Sequence, residues 1–114
     1  MKLAWATDIH LNFLEREHVA RWCQETLAAG DPDAILLTGD IAEATDIEDL
    51  LTLMEEQLQR PIYFVLGNHD FYKGSIAEVR KRAQDLSERS TYLCWLGGAG
   101  VISLTDDTAL IGHD

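Results

Sequence analysis

The sequence predicts an α/β fold, in which helices cover both faces of a parallel sheet. Three observations predict this class. Short apolar runs recur along the chain, amphipathic segments with helical spacing separate them, and Ser/Thr capping patterns open two of those segments. Runs that are apolar throughout are typical of strands in buried parallel sheets. With 114 residues, no repeats and no Pro/Gly/Ser-rich linker, the chain is expected to form one unit over residues 1–114.

The elements follow in alternation. A first strand at 3–7 precedes a helix at 14–29, and Gly30 is a suitable helix stop. The strand at 34–38 leads to a helix that opens at Thr45, and Pro61 ends that helix before the strand at 62–66. A third helix opens at Ser75. A fourth apolar run at 92–96 follows it, and 101–104 and 108–111 form a predicted hairpin.

Composition limits the function classes. Asp plus Glu number 20 and Lys plus Arg number 9, and a net charge of −11 argues against binding to nucleic acids or membrane surfaces, which are polyanionic. No apolar run approaches the roughly 18 residues of a membrane-spanning helix, and the N-terminus lacks a signal-peptide pattern. Cys23 and Cys94 lack a CxxC spacing and are expected to be buried free thiols. We therefore expect a cytoplasmic protein.

Metal-ligand residue types follow the first three strands. The first strand is followed by Asp8 and His10, the second by Asp40, and the third by the run Asn68-His69-Asp70. The carboxyl ends of parallel strands meet at one sheet edge, where sites of open α/β sheets lie. Each motif alone is compatible with an ordinary turn. Their coincidence at three strand ends favours a metal site.

The residue types indicate the chemistry of that site. Carboxylate, amide and imidazole groups suit Mn, Fe, Zn or similar divalent ions, with no thiolate to select a soft metal. If Asp40 bridges two ions, they would lie about 3.5–4 Å apart, as in two-metal hydrolytic sites. His69 is then the natural general acid, and Asp70 is expected to orient its ring.

The three motifs together resemble those of the calcineurin-like metallophosphoesterase superfamily. The resemblance covers residues 8 to 70, and it implies an αββα sandwich, of which this chain has mainly the first half, and hydrolysis of phosphomonoesters or phosphodiesters by metal-activated water. It implies that Asp8 and His10 bind one metal, Asp40 bridges, Asn68 binds the second metal, and His69 donates a proton with support from Asp70. The second motif lacks the GDxVDRG continuation of the protein phosphatases, so the chain is more similar to small bacterial phosphoesterases and phosphodiesterases.

The sequence departs from the family pattern downstream. Members carry a further lone His and a terminal Gly-His-x-His. Besides His10 and His69, this chain has only His18, which is expected on the surface, and His113, which is not expected to be a ligand. We therefore expect a truncated N-terminal portion that alone has little activity, with an oligomer or a missing C-terminal half covering the hairpin. The alternative is a non-catalytic metal-binding or interaction module.

One basic segment follows the third motif. The helix in this segment is expected to expose a solvated face, with weak ion pairs of Asp85 with Arg82 or with Arg89. For Lys73, nearest the motif, two interpretations stay open: a solvated side chain, or a group that attracts the phosphate of a small phosphoester substrate.

Overall fold

A computed structural model describes residues 1–114, the whole chain. Strands and helices alternate as predicted, and the predicted hairpin closes the chain. Single 3-10 turns lie at Leu11–Phe13, Asn68–Phe71 and Leu96–Gly98. The main elements are β1 (Leu3–Ala6), α1 (Arg16–Gly30), β2 (Ala34–Thr38), α2 (Ile47–Leu58), β3 (Ile62–Val65), α3 (Ile76–Arg89), β4 (Leu93–Trp95), β5 (Ile102–Ser103) and β6 (Ala109–Leu110).

The main sheet has four parallel strands in the order β1-β2-β3-β4, and β5 pairs with β6 in antiparallel fashion. The register places Trp5 beside Leu36, Leu36 beside Tyr63, and Tyr63 beside Cys94, so these side chains share one face. A parallel sheet in sequential order gathers the carboxyl ends of all four strands at one edge. The predicted convergence of the strand ends is thus built into the topology.

The helices bury one face of this sheet. Ile35, Leu37, Ile62 and Phe64 are each at most 1% exposed and belong to a core cluster that includes residues of all three helices. The opposite face is only half-buried, and Trp5 on it is 69% exposed. The prediction that helices cover both faces was therefore wrong. Sequential strand order with crossovers of one hand puts every helix on the same side.

Helix caps agree with the sequence at α3 and differ at α2. At α3 the Ser75 hydroxyl accepts a hydrogen bond from the Glu78 N–H at 3.1 Å, as the capping pattern predicted. At α2 the helix begins at Ile47, and Asp46 rather than Thr45 precedes it. The Asp46 carboxylate instead accepts the N–H of Glu43 at 2.9 Å, which stabilises the loop before the helix.

Ion pairs join α3 to α2. The carboxylate of Glu48 in α2 forms an ion pair with Arg82 at 3.1 Å and another with Arg89. Hydrogen bonding with Arg89 holds the pKa of Glu48 below its usual range. The predicted pairs of these arginines with Asp85 do not form, because Asp85 pairs with Lys81 within α3 at 2.8 Å.

The two cysteines are free, as predicted. Cys23 is fully buried, and burial raises its pKa to about 11. Cys94 is only half-buried, because it lies on the sheet face that the helices leave open. None of the helices combines the length and the apolarity that crossing a bilayer requires.

Candidate metal centre

The loops that follow β1 and β2 run side by side beyond the sheet edge. The N–H of Asp8 donates to the Gly39 carbonyl at 3.1 Å, and the N–H of His10 donates to the Asp40 carbonyl at 3.0 Å. These bonds continue the contact of two parallel strands past the point where regular pairing ends. They hold the first two motifs next to each other before any side chain is considered.

The backbone of both loops adopts an unusual conformation. Asp8, His10 and Asp40 have positive φ values of 54°, 44° and 51°, in the left-handed region, and Gly39 has a φ of 94°. Non-glycine residues rarely adopt this region, and Asp and His are among those that do so more often than most. Gly39 is required for a second reason, because an added Cβ would lie 3.0 Å from the backbone nitrogen of Gly67.

Three side chains from the three loops converge. One ligand atom each of His10, Asp40 and His69 lies within 4.8 Å of the others, and we call these residues the His–Asp–His group. Both imidazole Nε2 atoms lie 3.9 Å from the Asp40 Oδ2. The other oxygen of Asp40 accepts the N–H of His69 at 3.0 Å, which orients the carboxylate towards the rings.

The His–Asp–His group fits a divalent metal ion. Two imidazoles and one carboxylate are the donor set of Mn, Fe or Zn sites. No hydrogen bond occupies the His10 ring: its Nε2 faces Asp40 at 3.9 Å, and its buried Nδ1 has no partner, which is unusual for a buried polar atom. The group therefore contains the residues needed to hold one ion.

Asp8 and Asn68, the other two predicted ligands, are not part of this group. Asp8 is exposed, and its carboxylate accepts the Thr7 hydroxyl at 2.6 Å. The Asn68 side-chain amide donates to the Tyr72 hydroxyl at 3.3 Å. The structure thus contains one candidate three-ligand group, and the prediction of two metals stays a prediction.

Asp70 does not orient the His69 ring, so the role expected for it was wrong. Its carboxylate is completely buried and accepts three backbone N–H groups, those of Ile41 at 2.9 Å, Ala42 at 2.8 Å and Gly67 at 2.9 Å. Burial raises the pKa of the Asp70 carboxyl, and the three N–H groups act in the opposite direction. Asp70 fastens the loop after β2 to the loop after β3, and so holds Asp40 and His69 at their separation.

Two further residues near the group were missed or left open by the sequence analysis. The ring of Tyr72 lies 4.4 Å from the ring of His69, centroid to centroid. Its position four residues after Asn68, within one helical turn, was the available signal. Lys73 pairs with Glu43 at 2.9 Å, and this hydrogen bond raises the pKa of Lys73.

The remaining histidines lie outside the group. His18 is exposed on α1, as predicted. His113 is exposed as well, and its Nδ1 lies 2.7 Å from the carbonyl oxygen of Asp114. His113 thus contributes no atom to the His–Asp–His group.

Comparison with known families agrees with this geometry. The family model of calcineurin-like phosphoesterases matches residues 1–113. The chain belongs to this family. No curated protein and no solved structure matches the chain significantly. The calcineurin-like phosphoesterase assignment accounts for the mixed α/β fold with a parallel sheet, flanking helices and a small hairpin, and it indicates metal-dependent phosphoester hydrolysis as the chemistry of the family.

Proposed function

We propose that this chain carries the metal site of a phosphomonoesterase or phosphodiesterase that acts on a small phosphoester and uses two divalent ions. The observation that carries the proposal is the convergence of His10, Asp40 and His69 from three strand ends in a chain of the calcineurin-like phosphoesterase family. Divalent ions in such a site supply Lewis acidity towards the phosphoryl oxygens and lower the pKa of bound water.

The ligand roles are divided among the loops. Asp40 is the proposed bridging ligand, because its carboxylate lies between the loops of both proposed ions. Its Oδ2 lies 3.9 Å from the Nε2 of His10, and its Oδ1 accepts the N–H of His69, the residue next to Asn68. His10 and Asp8 would hold the first ion, and Asn68 the second. Asp8 lies outside the His–Asp–His group, and one oxygen of its carboxylate accepts the Thr7 hydroxyl.

Of the three residues of the His–Asp–His group, only His10 and Asp40 are proposed as ligands, and His69 is the proposed proton donor to the leaving-group oxygen. Its ring is about one-third exposed, which leaves it accessible to a substrate at the sheet edge. No hydrogen bond to another side chain occupies its ring nitrogens. In its cationic form a ring nitrogen of His69 gives up a proton as the phosphoester bond breaks, and the neutral ring remains.

Lys73 is not the main group that neutralises the substrate phosphate. Lys73 already pairs with Glu43, so its charge is partly compensated before a phosphate arrives. We infer that neutralisation of the phosphate charge depends mainly on the ions, and that Lys73→Ala lowers turnover by less than tenfold.

The test is Mn²⁺-dependent hydrolysis of a chromogenic phosphodiester and the matching monoester. It uses the 114-residue chain and the protein encoded by the whole reading frame. Asp40→Asn is expected to abolish activity, and exposed Asp106→Asn is the matched control. His69→Ala is expected to lower kcat by about 10²-fold or more with Mn²⁺ affinity less affected, and His18→Ala is its control.

The outcomes separate the two candidate functions. Turnover that disappears in Asp40→Asn supports the hydrolase. Mn²⁺ binding at Asp40 without turnover in either protein indicates the alternative, a non-catalytic metal-binding module, which the single three-ligand group also suits. Full activity of Asp40→Asn would overturn the bridging role.

A further inference from the structure

The side chain of Tyr72 contacts two neighbouring residues of the candidate metal centre at once. Its hydroxyl accepts the Asn68 amide at 3.3 Å, and its ring lies 4.4 Å from the His69 ring with an angle of 35° between the planes. Asn68 and His69 have separate proposed roles, one as a ligand and one as a proton donor. A single side chain thus contacts both.

The contact with Asn68 determines which amide atom faces Tyr72 and which faces away from it. The side chain of Asn carries an oxygen acceptor and an NH₂ donor that are nearly equal in size, and only their partners distinguish the two orientations. The Tyr72 hydroxyl accepts from the nitrogen, and no other hydrogen bond involves the Asn68 side chain. Its oxygen is therefore turned away from Tyr72 and free to bind a cation.

The contact with His69 replaces the support that Asp70 does not provide. The His69 ring contacts both the Tyr72 ring and the His10 ring, whose centroids lie 4.4 Å and 4.9 Å away. The Asp70 carboxylate is fully engaged with backbone N–H groups. Aromatic packing therefore holds the orientation of the His69 ring.

The backbone of Tyr72 is anchored on both sides, which makes it a suitable support. Its N–H donates to the His69 carbonyl at 3.0 Å, and its carbonyl accepts the N–H of Ala44 at 3.0 Å. The second bond reaches the segment after β2 that also carries Asp40. Tyr72 is therefore fixed relative to both loops of the centre, although its side chain is 47% exposed.

The geometry points to Tyr72 as a positioning residue, which turns the Asn68 amide oxygen towards the metal through its hydroxyl and holds the His69 ring through its own ring. The inference rests on the proposed function for the identity of the two supported groups. Partners that orient metal ligands typically change metal affinity by 10- to 100-fold when removed. Because the Tyr72 hydroxyl is exposed, we expect the lower end of that range.

The first experiment measures the orientation of Asn68 in the metal-free chain. Tyr72→Phe removes the hydroxyl and keeps the ring, and Tyr92→Phe, at the opposite end of the sheet, is the matched control. The side-chain NH₂ signals of Asn68 in ¹H–¹⁵N spectra, assigned by their loss in Asn68→Ala, are expected to move upfield and sharpen in Tyr72→Phe and to stay unchanged in Tyr92→Phe. Unchanged signals in Tyr72→Phe would overturn the inference, whether or not the chain binds a metal.

The second experiment measures Mn²⁺ affinity and kinetics. We expect Tyr72→Phe to weaken Mn²⁺ binding roughly tenfold in calorimetric titration with kcat nearly unchanged, and Tyr72→Leu to lower kcat in addition, because the ring contact with His69 is then lost. If Asn68→Ala and Tyr72→Phe together weaken Mn²⁺ binding by the product of the single effects, the two residues act independently and the inference is wrong. Absence of Mn²⁺ binding by the parent chain would contradict the proposed function, and the amide signals would still decide the role of the hydroxyl.

Discussion

Replacing Asp70 should destabilise the fold even though this residue touches neither a metal nor the His69 ring. Asp70→Ala leaves the buried N–H groups of Ile41 and Ala42 and the partly buried N–H of Gly67 without acceptors. An unsatisfied buried donor costs about 1–3 kcal/mol, so the loss amounts to about 2–3 kcal/mol at the lower limit. Asp70→Asn keeps the oxygen that accepts two of the bonds and loses only the one from Gly67.

The asparagine variant should therefore lose less. One lost bond corresponds to about 1–3 kcal/mol. Since burial raises the pKa of Asp70, the ionised carboxylate carries a desolvation cost that the neutral amide avoids, and we expect about 1 kcal/mol for Asp70→Asn. The predicted order of stability is wild type, then Asp70→Asn, then Asp70→Ala.

Urea unfolding followed by tryptophan fluorescence and circular dichroism measures this order. Asp106→Ala is the control, because Asp106 is exposed in the hairpin turn and should stay within about 0.5 kcal/mol of wild type. Asp70→Ala as stable as the control would refute the reasoning. Mn²⁺ affinity should fall in the same order as stability, because the separation of Asp40 and His69 depends on the same bonds.

Three further predictions concern other parts of the chain. Gly67→Ala should weaken Mn²⁺ binding at least tenfold in calorimetry, because its Cβ would lie 2.3 Å from an oxygen of the Asp40 carboxylate. Gly30→Ala, whose added Cβ has no atom within 4 Å, should bind Mn²⁺ as wild type does. Glu48→Gln should lower the free energy of unfolding by about 1 kcal/mol at neutral pH and by less in acid. The lowered pKa of Glu48 gives stability that is present above the ordinary pKa of 4.5 and is lost as the pH falls through the folded-state pKa. A stability difference that does not depend on pH between about 3 and 6 in urea titrations contradicts this. Cys94 should react slowly with a disulfide reagent at about pH 8, and Cys23 should react only on unfolding, because burial raises the pKa of both thiols. Equal reaction rates of the two thiols in the folded protein would show that Cys23 is accessible.

The elements and the location of the site were predictable because both depend on local pattern. Apolar runs identify the strands, and parallel pairing then brings Asp40 and His69 to the same edge whatever the details of the loops. The family model over residues 1–113 confirms the resemblance that the motifs indicated.

The partners of Asp70 were not predictable, because they depend on the paths of two loops. Ile41 and Ala42 lie 29 and 28 residues away in sequence, and no local pattern indicates that their N–H groups face Asp70. The one-sided sheet was missed for a similar reason. Apolar runs identify strands but do not tell their order, and the order decides on which face each helix lies.

The left-handed backbone at the candidate centre has a consequence for how the chain balances folding against function. Asp8, His10 and Asp40 each occupy a conformation that costs a non-glycine residue on the order of 1 kcal/mol or more. Glycine at these positions would relieve that cost and remove the side chains of candidate ligands. The loops thus keep side chains that a chain optimised for stability alone would replace. Variants such as Asp8→Gly should melt at a higher temperature than the parent while binding metal less tightly, so thermal stability alone is a misleading guide when variants of this protein are selected.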